Sequence, residues 1–171
     1  RKSIRRIMLD LLYIKDQVKE FFRENEEYME LLNFLTAKDY LDDDIPIPTF
    51  KEIEEQTGIK MYHIRKRLLN MYNELFDSDK EYIFDFKKCE IIFFIKNNDK
   101  YGSFKCNNLS SVPRIGENVD IPFVRGQVGS DFFYVDDVRH SFEGKKQSIY
   151  IHLKCGMFNS YWYNRLHEAK E

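Results

Sequence analysis

The chain has 171 residues, of which 43 % are hydrophobic and 16 % aromatic, enough to fill one or two apolar cores and too much for a disordered segment. A formal net charge of −2 excludes wholesale coating of a polyanion, so any attraction to nucleic acid has to come from a local patch. No apolar run approaches bilayer length and no signal-peptide pattern is present, so the expectation is a cytoplasmic protein with no membrane partner.

Residues 1 to about 37 have a helical pattern. One count places Ile4, Leu11, Val18, Asn25 and Leu32 at heptad position a, and Ile7, Ile14, Phe21, Tyr28 and Leu35 at d. A seam of that length predicts a partner helix, with Asn25 as its one polar member. The alternative is that Asn25 caps a new helix, with Glu26 and Glu27 in its first turn where the helix dipole favours them. Then residues 2–24 form one helix and 26–37 the next. The stripe is wide, because Met8, Leu12, Phe22, Met29 and Leu31 add to it, and width favours packing on a domain. Either way residues 2–24 could hold a homodimer together.

Asp39 to Pro48 is an acidic connector with Asp42, Asp43 and Asp44 in a row, followed by Ile45-Pro46-Ile47-Pro48. The prolines keep it extended. Adjacent carboxylates seldom converge on one ion, so no metal is expected there.

Thr49 to Phe76 is the stretch whose spacing points to a job. Thr49 with Glu52 three residues on is a capping box. A helix from about Phe50 to Thr57 follows, with Phe50, Ile53 and Thr57 inward, and Gly58 stops it. Ile64, Leu68, Met71 and Leu75 then form one apolar face of a second helix. No Asp or Glu occurs from Gln56 to Asn73, while Lys60, His63, Arg65, Lys66 and Arg67 fall inside that stretch.

The pattern Ile53-x-x-x-Thr57-Gly58-Ile59-x-x-x-x-Ile64 resembles the winged helix-turn-helix superfamily, over about Glu26 to Lys105. Two positions depart from it. Glu54 stands where a small residue usually lets the helices approach, and Lys60 stands where Ser or Thr usually caps the recognition helix. The resemblance implies duplex DNA as partner, with the second helix in the major groove. Lys60, Tyr62, His63, Arg65, Lys66 and Arg67 would then read bases or touch phosphates, beside Met61. The plain alternative is a solvated basic face on a protein-interaction or scaffold module.

Beyond Asp79 the period changes to that of strands. Tyr82–Phe86 and Cys89–Lys96 are rich in Ile and Phe, and the turn Asn97-Asn98-Asp99-Lys100 leads into Tyr101–Cys106. In the resemblance this hairpin is the wing, with Lys96 and Lys100 as supporting contacts. A boundary is expected in Asn107–Glu117. Strands follow at Val119–Gly126, Asp131–Phe142 and Gln147–Cys155. The apolar phase shifts across Asp136-Asp137, as at a β-bulge. A small antiparallel barrel, SH3-like or OB-like, is the expectation. Asn159–Glu171 predicts a short helix whose Tyr161, Trp162, Tyr163 and Leu166 cover an open barrel end or a second molecule.

Three chemical possibilities remain in the barrel. Asp136, Asp137, Arg139 and His140, with His152 on the next strand, could serve a small hydrolase through His140 and Asp137. Phe132, Tyr134 and Tyr150 beside Arg125, Arg139 and Lys154 could bind a single strand or a peptide. Cross-strand ion pairs on a wet face explain the same residues. The chain has no Gly-rich phosphate loop, no nucleophile elbow and no His pair at i, i+4, so no enzyme, cofactor or metal is expected. Cys89, Cys106 and Cys155 are odd in number and lack C-x-x-C spacing, so reduced, mostly buried thiols are expected.

The expected fold is therefore α+β: an amino-terminal helix (1–25), a winged helix-turn-helix-like domain (26–106), and a barrel with a carboxyl-terminal helix (107–171). The function expected is that of a DNA-binding transcription regulator or mobile-element accessory protein.

Overall fold

The computed structural model of the protein describes residues 3–77, 79 and 83–170. The chain is α+β and divides into two compact units, one of residues 1–86 with 143–145, the other of 87–142 with 146–171.

The first unit is helical, with α1 (Ile4–Tyr13), α2 (Lys15–Phe21), α3 (Glu26–Thr36), α4 (Phe50–Thr57) and α5 (Met61–Leu75). Asn25 caps α3, its side chain accepting from Tyr28 N. A continuous seam through Asn25 is thereby ruled out. The single helix expected over 2–24 is also broken, at Ile14, and the carbonyl of Tyr13 freed there accepts Gly144 N–H at 2.8 Å. Lys2 lies outside the described residues. Ile7, Met8, Leu11, Leu12, Val18 and Phe22 are buried in the unit's own core, with Tyr28, Leu31, Leu32 and Leu35 of α3. The apolar stripe expected to hold a dimer is already used inside the monomer. Gln17 is the one buried polar side chain in this core. Its amide bridges two backbone groups, accepting from Asp85 N and donating to Gly144 O, so its burial leaves neither end unpaired.

The second unit is built on a five-stranded sheet: β1 (Lys88–Asn97), β2 (Lys100–Cys106), β3 (Asn118–Asp120), β4 (Phe132–Glu143) and β5 (Lys146–Cys155), in the order β2-β1-β5-β4-β3. The sheet is mixed and open rather than an antiparallel barrel, because β1 pairs with β5 in parallel from Lys88↔Lys146 to Lys96↔Lys154. That ladder takes the expected wing hairpin, β1 and β2, into the same sheet as β3 to β5. The boundary expected at 107–117 therefore falls inside the second unit. Residues 83–87 are not strand, and Tyr82 of the strand expected there lies outside the described residues. Of the strand expected at Val119–Gly126 only Val119 and Asp120 are strand, as the end of β3. Pro122, which brings no amide hydrogen to a ladder, opens a 3₁₀ turn (Pro122–Val124) that runs into α6 (Arg125–Val128). The core lies on one sheet face, where Ile91, Phe93 and Ile95 pack with Ile149, Ile151, Leu153, Phe133, Val135 and Val128.

Asn159 caps α7 (Ser160–Glu168), accepting from Tyr161 N and Trp162 N. The helix buries nothing. Tyr161, Trp162 and Leu166 are each about 60 % exposed, so of the two uses expected, covering the sheet or meeting a second molecule, they do not serve the first, while Tyr163 is half-buried with its ring 5.4 Å from that of Phe158. Cys89 and Cys155 are free and exposed, and Cys106 half-buried, against the expectation of mostly buried thiols.

The capping box at α4 gives the fold a pH-dependent element. Thr49 N and Oγ1 both donate to Glu52 Oε2, at 2.6 and 2.9 Å, and these bonds hold the Glu52 carboxyl below its ordinary range. A carboxyl with a lowered folded pKa stabilises the fold above its ordinary value and loses that contribution as pH falls through the lower one. Thr49→Ala is therefore expected to destabilise the protein at pH 7 and to flatten the loss of stability on acidification, measured by urea unfolding at pH 7 and below pH 4.

Candidate nucleic-acid interface

Gly58, at φ 74°, ends α4 in the left-handed region, with its N–H on Glu54 O at 2.8 Å. Ile59 is buried, and α5 begins two residues later. Ile64, Leu68 and Met71 are fully buried and Leu75 nearly so, packed with Ile53 of α4 and the helices before it. Burial of that stripe forces the other side of α5 outward. Lys60, Met61, Tyr62, His63, Arg65 and Lys66 are all exposed, Tyr62 at 69 %.

The two departures from the superfamily pattern meet each other. Lys60 makes no side-chain cap. Glu54 does it instead, accepting Met61 N–H at 3.3 Å through Oε2 while Oε1 sits 3.2 Å from Lys60 Nζ. The carboxylate thus satisfies one of the open N–H groups at the start of α5, where the helix dipole favours a negative charge. It also tempers the charge of Lys60.

Arg65 lies with its guanidinium 5.2 Å from the centre of the Phe50 ring, which positions it without neutralising it. Tyr62 and His63 meet edge to face at 5.4 Å. Lys66 stands exposed. Arg67 is different. Its side chain is 21 % exposed, its Nε is buried without a hydrogen bond, and Glu27 Oε1 of α3 lies 3.6 Å away. Arg67 therefore braces α5 against α3 and is less open than the other cations of the expected set.

Lys96 and Lys100 belong to the second unit, at the β1–β2 turn. Lys96 Nζ lies 5.6 Å from the centre of the Tyr101 ring. Of the other residues singled out in the sequence, Tyr150, Arg139 and Lys154 line one groove with Asp136, Asp137 and His152. Phe132, Tyr134 and Arg125 do not line it. Tyr134 meets Phe158 at 5.8 Å, and Arg125 pairs with Asp131 at 3.5 Å. His140 is not brought to His152; its Nδ1 lies 3.1 Å from Gln147 Nε2, and Asp136 pairs with Lys154 at 3.0 Å. Phe94 and Tyr101 also line that groove, and sequence reasoning passed over both. In the sequence, Ser148, Tyr150, His152 and Lys154 alternate with Ile149, Ile151, Leu153 and Cys155, which marks the first set as a wet face, but nothing local signals that β1 lies beside them in parallel.

Among the described residues no group of three or more His, Cys, Asp or Glu side chains could hold a metal ion, and no helix is long and apolar enough to cross a membrane. No protein-family model, curated protein or solved structure matches the chain.

The cap supplied by Glu54 has a measurable consequence. Glu54→Ala is expected to lower stability by about 1 kcal/mol in urea unfolding at neutral pH, and Glu54→Gln, which keeps an acceptor at Met61 N–H, by less. Equal losses in the two variants would mean that the carboxylate's charge beside Lys60 and the helix start, and not its hydrogen bond to Met61 N–H, is what Glu54 supplies.

Proposed function

We propose that the chain is a cytoplasmic, non-catalytic DNA-binding protein of transcription-regulator or mobile-element accessory type, in which α4 and α5 act as a helix-turn-helix. The observation that carries this is the exposed side of α5, free of acids from Gln56 to Asn73 and holding His63, Arg65 and Lys66 in the open. Phosphate attraction supplies most of the affinity. The early residues Lys60, Tyr62 and His63 would meet base edges, with Arg65 and Lys66 on bases or nearby phosphates. Likeness to the winged superfamily rests on the helices, since β1 and β2 serve the sheet of the second unit. The engagement of His140 by Gln147 supports a binding role over a hydrolytic one.

A second reading has its own support. Glu54 beside Lys60 and Glu27 beside Arg67 lower the charge of the patch, as would suit a protein-interaction module in which the two helices are architecture only.

Fluorescence anisotropy with a labelled mixed-sequence duplex separates the two. Binding should weaken steeply with added salt, by a log–log slope of about −0.9 for each phosphate contacted. Arg65→Glu with Lys66→Glu should lower affinity roughly ten- to a hundredfold while the protein stays folded, and Arg67→Glu should mainly reduce stability. No binding at low salt, or unchanged affinity in the folded double variant, removes α5 from DNA recognition.

A further inference from the structure

The groove of about 950 Å³ on the second unit lies on the sheet face opposite the core. Registers place the side chains of this face in rows across β2, β1 and β5. Tyr101, Lys96 and Lys154 form one row, Ser103, Phe94 and His152 the next, and Lys105, Ile92 and Tyr150 a third. Successive rows are two residues apart along the strands, or about 6.6 Å.

Two features of these rows need an explanation. The first is that three rings stand nearly parallel on this face, Phe94 and His152 exposed and Tyr150 half-buried: Phe94 and His152 at 5.1 Å and 20°, Phe94 and Tyr150 at 6.2 Å and 14°. Phe94 is 39 % and Tyr101 66 % exposed, on a face where apolar surface gains nothing from water. The second is that Lys96 and Lys154 are direct neighbours in the ladder, a like-charge pair that weakens a sheet. Arg139 of β4 adds a third cation to the same groove. Flat rings beside clustered cations match one class of ligand, a chain in which planar bases alternate with phosphates.

We propose that this face is a stacking platform for single-stranded DNA, holding about two or three nucleotides as sheet-borne aromatics do elsewhere. Bases stack on Phe94, Tyr150 and Tyr101, and phosphates lie toward Lys96, Lys154 and Arg139. Asp136 is already paired with Lys154, at 3.0 Å. The choice of DNA over RNA rests on the duplex reading above, and the platform itself does not.

The test uses the full chain and a labelled oligothymidylate of about 15 nucleotides, with the matching oligouridylate as a second arm. Wild type should bind the DNA at low salt. Phe94→Ala with Tyr150→Ala should weaken binding at least about tenfold, with unchanged circular dichroism and melting. Should that variant unfold, Lys96→Glu with Arg139→Glu, both at exposed positions, should show the loss instead. Retention of single-strand binding by Arg65→Glu with Lys66→Glu would keep the two DNA readings separate, because it removes only the duplex contacts. Absence of binding at low salt, or full binding by the folded aromatic variant, overturns the platform. Tighter binding of the oligouridylate overturns the assignment to DNA.

Discussion

Burial of four residues on one helix decides what the first unit can show to the outside. Ile64, Leu68, Met71 and Leu75 recur at helical spacing and are withdrawn from water against Ile53, Ile59 and the helices before them. Each side chain of that size gains about 1.5 to 3 kcal/mol on full burial, far more than any surface ion pair on the same helix contributes. The rotation of α5 about its axis is therefore set by apolar packing alone. The cationic residues between those four have no say in it and end on the wet side.

Within that constraint the charged groups adjust the start and the flank of α5. Glu54 takes over the cap that Lys60 cannot provide, and a carboxylate there improves the helix while reducing the positive potential at its first turn. Glu27 does the same for Arg67 at the boundary with α3. What stays unopposed is the narrower set of His63, Arg65 and Lys66, with Tyr62 beside them. A patch of that size fits a chain whose net charge is −2, in which affinity for a polyanion has to be local.

Most of the first unit was legible because its signals are local. The Thr49–Glu52 box, the Gly58 stop and the four-three-four spacing after it each act within one or two helical turns, and each appears as read. The cap at Asn25 belongs to the same class. The break at Ile14 was hidden because its apolar residues continue in phase on both sides of it. In the second unit the hairpin at Asn97–Lys100 was legible, as was the alternation of β5. The parallel ladder between β1 and β5 was not, since it joins segments more than fifty residues apart and leaves no mark in either. That one pairing makes an open, mixed sheet where a barrel was expected and brings the hairpin of β1 and β2 into it. For the candidate site, Tyr62, His63, Arg65 and Lys66 stand open as expected. The partial burial of Arg67 left no local signal, because its partner Glu27 lies on a different helix.

The two units present different chemistry, a cationic helix face on one and rings beside cations on the other. The central claim concerns the first: that the solvent side of α5 is where DNA is met. Titrating the isotopically labelled protein with a short duplex and following backbone amide shifts tests it most directly. The account predicts that the largest changes cluster at residues 60–66 and at the turn before them. Changes confined to other helices or to the second unit, with residues 60–66 unmoved at saturation, would contradict it.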